Sequence, residues 1–164
     1  MSKALERVKN KIFNKNNLLE KLEIWRSANK KIVFTNGCFD LIHLGHIEVL
    51  ARSADLGDIL IIGVNTDSSI KELKGNNRPI IEENSRAQQL ASLEFVDAVI
   101  LFNEQTPLEL IKVIKPNVIT KGGDYNSEQV VGNEIAVKNE GEVIIIPLTQ
   151  GYSTTSILDK IKND

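Results

Sequence analysis

The sequence predicts an α/β domain with an open parallel sheet, on three observations. Short, continuous apolar runs recur along the chain, segments with apolar residues at helical spacing alternate with them, and Gly, Asn and Pro punctuate the joins. Continuous rather than alternating apolar runs mark strands covered on both faces. Strand and helix in strict alternation mark parallel pairing through crossover helices. The expectation is a Rossmann-like sheet of about five strands with helices on both faces, binding its ligand at the carboxyl ends of the strands.

The elements follow in order. Asn16-Asn17 caps a helix running to about Asn29, with Leu18, Leu22 and Trp25 at i, i+4 and i+7 on one face. Ile32-Val33-Phe34-Thr35 is a buried strand ended by Asn36-Gly37. His46 to Ala54 carries Ile47, Leu50, Ala51 and Ala54 at helical spacing, and Gly57 stops it. Asp58 to Val64 is a second apolar strand. Ser85 to Leu93 reads as helix and Ala98 to Phe102 as strand. Thr106-Pro107 opens a helix to Ile114, with Pro at the first helical position. Val118-Ile119-Thr120 is a short strand, 128–139 a weaker helix interrupted by Gly132, and Val143 to Ile146 the last strand. A final helix spans Ser153 to Lys162. The expected organisation is a single domain over 1–164, with 1–29 as a helical extension packed on it.

Composition narrows the function. At 41% hydrophobic and 26% charged residues the chain is ordinary globular protein, so wholesale disorder is excluded. A net charge of -2 argues against a dedicated nucleic-acid binder. One cysteine and two histidines leave no intrachain disulfide and nearly exclude a Cys/His zinc site; no metal ligand is assigned. The first residues lack the apolar core of a signal peptide, and the longest apolar runs are too short to span a bilayer. A cytoplasmic protein without membrane or nucleic-acid partners is expected.

The strongest chemical signal is Gly37-Cys38-Phe39-Asp40-Leu41-Ile42-His43-Leu44-Gly45-His46, directly after the first long strand. Both histidines of the chain lie here, three residues apart, where a helix opens. Free N–H groups and the helix dipole favour an anion there, and Gly45 admits a ligand close to the backbone. Two imidazoles at such a turn make a phosphate cradle. A satisfied core histidine beside a surface histidine is the bland account, and the shared turn disfavours it. Lys71, Lys74 and Arg78 form a cationic cluster in what reads as a flexible loop, Lys-Glu-Leu-Lys-Gly-Asn-Asn-Arg-Pro, able to close over phosphates. Lys121-Gly122-Gly123-Asp124 lets a nucleoside pack on the backbone, with Asp124 accepting from a ribose hydroxyl. Ser153, Thr154 and Thr155, after Gly151-Tyr152, offer hydroxyls and free N–H groups to phosphates. Cys38 reads as a small residue at a tight turn, since no covalent step is needed.

Gly-x-Phe-Asp followed by His-x-Gly-His resembles the signature of the cytidylyltransferase-like nucleotidyltransferases. The strings Lys30 to Asp40, Val64-Asn65-Thr66-Asp67, Lys121 to Tyr125 and Ser153-Thr154-Thr155 are similar to the branch that adenylylates D-glycero-β-D-manno-heptose 1-phosphate. The resemblance covers about residues 16 to 162. It implies transfer of AMP from ATP to a sugar 1-phosphate, with release of pyrophosphate and with Mg²⁺ held mainly by the ATP phosphates. It implies catalytic roles for His43, His46 and Lys74, and nucleotide contacts from Gly37, Cys38, Phe39, Asp40, Gly45, Lys71, Lys121, Gly123, Asp124, Ser153, Thr154 and Thr155. Asn65, Arg78 and Arg86 fall to the acceptor side, Arg86 beside its phosphate. Asp40 is expected to orient the motif rather than act as a base. The resemblance also implies a stand-alone form whose sugar kinase is a separate chain, and it is compatible with a homodimer. A CTP-dependent transferase acting on glycerol 3-phosphate, a non-catalytic nucleotide-binding regulator and a tRNA-synthetase-related fragment stay open as alternatives.

Overall fold

Apolar alternation along the two central strands builds two cores. In the computed structural model, which describes residues 2–123 and 126–163 (the last two as backbone), six strands form one parallel sheet. They are β1 (Ile12–Phe13), β2 (Ile32–Gly37), β3 (Ile59–Asn65), β4 (Ala98–Phe102), β5 (Val118–Gly122) and β6 (Glu142–Ile146), in spatial order β1-β4-β3-β2-β5-β6. β2 and β3 pair from Ile32 opposite Ile59 to Gly37 opposite Val64, and every residue of β3 is buried.

Ile32, Phe34, Ile59 and Ile61 point to one face, where α2 (Lys15–Ser27) supplies Leu18, Leu22 and Trp25. α6 (Leu108–Ile114) adds Ile111 and Ile114, and α7 (Asn133–Lys138) adds Ala136. Val33, Leu60, Ile62 and Val64 point to the other face, covered by Leu50 of α3 (Leu44–Ala54) and by Ala87, Leu90 and Ala91 of α5 (Glu83–Ala91). Continuous apolar strands are required because both faces are covered. α1 (Lys3–Lys9), α4 (Asp67–Lys74) and α8 (Thr154–Asn163) complete the elements.

From β2 the chain steps outward to β3 and β4, then returns across β2 to β5 and β6. The strand order reverses between β2 and β5, so the crevice outside their carboxyl ends is the expected ligand position.

The structure departs from the sequence expectation in five places. The sheet has six strands, not about five. The sixth, β1, is only two residues long and lies inside the segment read as a helical extension, where it pairs with β4 at the sheet edge. α2 starts one residue before the expected cap, and Asn14 is the cap, accepting from the Asn17 amide at 2.9 Å. Lys71 and Lys74 sit in the last turn of α4 rather than in a loop, because Thr66 caps a helix that the polar composition concealed. Pro107 is the N-cap of α6, not its first helical residue. The segment 128–139 divides into a 3₁₀ turn at Ser127–Gln129 and α7. Gly132 stands between them at φ 93°, where an added Cβ would lie 2.6 Å from Ile111 Cδ1.

Candidate active site

The turn after β2 is shaped by close approach. A Cβ on Gly37 would lie 3.0 Å from the Phe39 ring, and Phe39 itself takes a left-handed φ of 47°, a local strain typical of functional turns. Asp40 then turns inward and is 2% exposed. Its Oδ1 accepts from the Ile80 and Ile81 amides at 2.8 and 2.9 Å, and its Oδ2 accepts from Arg78 Nε at 2.6 Å. With both oxygens occupied, Asp40 holds the turn by hydrogen bonding, and because it is buried and does not line the cavity described below, the expected nucleotide contact is corrected.

His43 occupies the N-cap position of α3 with extended backbone, so only His46 is helical. The two rings still meet, stacked with centroids 3.8 Å apart, and the Phe39 ring stands edge-on to His46 at 5.4 Å. Gly45 makes the stack possible, since a Cβ there would lie 3.2 Å from His43 Nδ1. Burial lowers the His43 pKa. Burial, then His43 and Lys74, lowers that of His46 from the usual 6.5 to about 4, against an opposing hydrogen bond with the Leu41 backbone. Both rings are therefore neutral at pH 7, and each carries one N–H. Nδ1 of each is buried without a partner among the described residues. Buried polar atoms are normally satisfied, so an unpartnered nitrogen on each of the two stacked rings marks these rings as a place for a polar ligand.

They line an open cavity of about 390 Å³ at the β2–β5 crevice. Of the sequence-predicted residues, Gly37, Cys38, Phe39, His43, Gly45, His46, Lys74, Lys121, Ser153 and Thr154 line it. Lys121 projects from β5, and burial lowers its pKa while Cys38 acts in the opposite direction. Ser153 Oγ accepts from the Ser156 amide at 3.0 Å, capping α8, which leaves its proton free to donate. The lining also includes Thr35, Asn36, Val49, Leu148, Thr149 and Tyr152, which the sequence reading missed. Asn36 was legible from its place at the end of the strand. Thr149, whose hydroxyl donates to Glu48, belongs to no pattern.

Other predicted residues lie elsewhere. Asp124 falls outside the described residues. Thr155 is exposed on α8, Gly123 is buried beside the cavity with its amide bonded to Ile146, and Lys71 is exposed on α4; none of the three lines the cavity. Asn65 is 4% exposed; its amide nitrogen donates to Ser69 at 3.0 Å and its oxygen faces the Cys38 thiol at 4.0 Å. Arg78 is held by Asp40. Arg86, expected beside the acceptor phosphate, is completely buried. It donates to the carbonyls of Ile81, Cys38 and Asn65 and to the Asp67 carboxylate, at 2.5–2.9 Å. A guanidinium with four protein acceptors and no exposure is part of the framework beneath the site. The side chains of Asn65 and Arg86 are thus committed inside the protein, and the acceptor assignment is corrected for both.

Stacked neutral donors, two lysines, a hydroxyl-bearing helix start and a glycine-lined wall at the switch point define a phosphate-handling site on a Rossmann-like domain. A cytidylyltransferase-like family model matches residues 34–160, and the chain belongs to that family. It is 46% identical over 153 residues to the bifunctional protein HldE of Bradyrhizobium sp. (strain ORS 278), covering 93% of this chain and 31% of that one. It is 52% identical over 134 residues to the bifunctional protein HldE of a Nitratiruptor species, covering 82% of this chain and 28% of that one. The chain thus spans about a third of the length of these relatives. The crystal structure of the lipopolysaccharide core biosynthesis protein from Thermoplasma volcanium GSS1 superposes with a TM-score of 0.60 at 31% identity, over 76% of this chain and 99% of that one.

Two outcomes are expected from this geometry. Asp40→Ala strips acceptors from Arg78 and two amides, and should cost about 2–4 kcal/mol of unfolding free energy in urea titrations. Between pH 6.5 and about 4 the unfolded chain holds the His46 proton and the folded chain does not. Acidification through that window therefore favours unfolding. Tm should fall from pH 7 to pH 4.5, and His46→Gln should flatten that slope.

Proposed function

We propose that this domain transfers AMP from ATP to D-glycero-β-D-manno-heptose 1-phosphate, giving ADP-heptose and pyrophosphate. The carrying observation is the stacked His43–His46 pair, which lines a cavity shared with Lys74 and Lys121. The similarity to HldE proteins and to a lipopolysaccharide core biosynthesis protein supports the acceptor and an ADP-heptose product destined for that glycan.

In this reading an acceptor phosphate oxygen attacks the α-phosphorus in line. The new P–O bond forms as the bond from the α-phosphorus to the bridging oxygen breaks, and pyrophosphate leaves with the electron pair. A phosphate monoester has its second pKa at about 6, so the nucleophile is already dianionic at neutral pH. It needs no general base. What it needs is alignment and relief of repulsion between two polyanions. The imidazole N–H groups donate to the α- and β-phosphates as charge builds. Lys74 and Lys121 balance that charge, and Ser153 and Thr154 take the far end of the triphosphate at the start of α8. The acceptor comes from a sugar kinase, and the cytoplasm, which holds ATP, is the fitting compartment. No helix among the described residues is long and apolar enough to cross a membrane.

Mg²⁺ fits this scheme as a passenger of the triphosphate. Among the described residues no cluster of His, Cys, Asp or Glu is arranged to hold a metal, and no carboxylate lines the cavity. Phosphate oxygens and water would supply its ligands, as this cation favours.

Pyrophosphate release tests the reading directly, with ATP and CTP crossed against heptose 1-phosphate and glycerol 3-phosphate. Release with ATP and heptose 1-phosphate alone is expected. Release with another pair relocates the specificity, and nucleotide binding without release under any pair makes the domain a regulator. In the active pair, His46→Ala should lower kcat by about 10²-fold or more while the circular dichroism spectrum is retained, since it removes a donor to the developing charge. Near-normal turnover would remove His46 from that role.

A further inference from the structure

Lys74 ends α4, and both ends of that helix are fastened to one ring of partly buried hydrogen bonds. The ring closes through Ile81, whose amide donates to Asp40 Oδ1 and whose carbonyl accepts from Arg86 Nε, each at 2.9 Å. Arg86 Nη1 then donates at 2.5 Å to the carbonyl of Cys38, two residues before Asp40. From this ring Arg86 Nη2 reaches the Asn65 carbonyl at 2.8 Å and the carboxylate of Asp67, the first residue of α4, at 2.7 Å. Glu83 Oε2 accepts from the Asp67 amide at 2.7 Å, adding a second tie at the same end.

The far end is tied as well. After Lys74 the chain turns at Gly75, φ 89°, and comes back to Asp40 through Arg78, Ile80 and Ile81. α4 has eight residues, a rod of about 12 Å. It is thus suspended between two anchors that share one ring, and that ring also holds the turn leading to the histidines. The Lys74 side chain lines the cavity and has no ion-pair partner among the described residues.

We propose that Arg86 is a positioning residue for phosphate transfer: by tying Cys38, Asn65 and Asp67 together, it sets where Lys74 stands relative to the two imidazoles. This rests on the adenylyl-transfer reading for its readout. It gives Arg86 a different task from direct contact with the acceptor, because no part of it reaches the cavity. Displacement of a phosphate-binding group by an ångström or so is enough to cost a large factor in rate.

The test is a double-mutant cycle of Arg86→Lys with Lys74→Ala, read as kcat for pyrophosphate release at a temperature well below each variant's Tm. Arg86→Lys keeps the charge but loses the planar fork that reaches several acceptors. Alone it should lower kcat roughly ten- to a hundredfold. In the Lys74→Ala background its cost should be clearly smaller, because the group it positions is gone and only the arm to Cys38 still acts on the histidine turn. Losses that multiply independently would overturn the proposal, since a framework role without a link to Lys74 gives that result. Unchanged kcat in Arg86→Lys would overturn it too. Should Arg86→Lys fail to fold, Asp67→Asn cuts only the arm to α4, at a carboxylate that is partly exposed. Its smaller loss should again vanish in the Lys74→Ala background, and persistence there would count against the proposal. A wild-type protein that releases no pyrophosphate fails the adenylyl-transfer reading instead. The same cycle read on the calorimetric Kd for ATP then decides the positioning role, with non-additive losses supporting it and additive losses overturning it.

Discussion

Asp40 and Arg86 are charges held almost wholly away from water, and the active-site turn is tied to the rest of the protein through both. Stranding either charge costs several kcal/mol. The chain meets that cost with three donors on Asp40 and four acceptors on Arg86. Five of the seven fall on backbone groups, of Cys38, Ile80 and Ile81 in turns and of Asn65 at the end of β3, and supply partners where the ladders stop. One pair of side chains thereby satisfies loop backbone that a crevice at the sheet edge leaves unpaired. It also joins segments far apart in sequence (residues 38–40, 65–67 and 78–86) into one rigid floor. Wrong placement of either residue would leave buried charge and buried backbone unsatisfied together, which narrows the conformations open to the turn.

On that floor the choice of neutral donors has a physical reason. Two imidazolium rings stacked at 3.8 Å would repel and would lose hydration, and among the described residues no carboxylate lines the cavity to offset them. As neutral rings they each keep one N–H and lose far less on burial. The cationic share falls to Lys74 and Lys121, whose flexible stems adjust to ligand charge. Preorganised dipoles with adjustable charge around them suit a reaction in which negative charge relocates along a phosphate chain.

Much of the fold was legible because strand and helix leave different periodicities. The five longer strands and most of the helices were read where they occur, as the runs at Ile32 and Ile59 illustrate. β1 was not, since two residues leave no periodic trace and their strand identity comes only from pairing with β4. α4 was hidden by Ser68, Ser69, Lys71 and Lys74, whose polar character reads as loop until the Thr66 cap and the buried Ile70 are seen together. The histidine turn was legible from spacing at a strand-to-helix join. Arg86 was not: sequence marks it as charged, and charge ordinarily means surface. Only the carbonyls of Cys38, Asn65 and Ile81, brought together by tertiary folding, make a buried guanidinium the lower-energy state.

The same contrast separates the two walls of the cavity. The β2–α3 wall is built from residues adjacent in sequence, so its chemistry is written as a motif. The opposite wall joins Lys121 from β5 to Leu148, Thr149 and Tyr152 from the segment before α8, and its parts meet only because β6 returns the chain to the β5 edge. An added Cβ on Gly122 would lie 3.1 Å from Leu148 and 3.2 Å from Val49, so that glycine brings the β5 backbone close to both walls. A side chain there would press on both neighbours and narrow the space beside Lys121. In the proposed reaction the first wall holds the groups that touch developing charge. The second would set how closely the proposed nucleotide approaches them, and its residues are constrained by fit rather than by pattern.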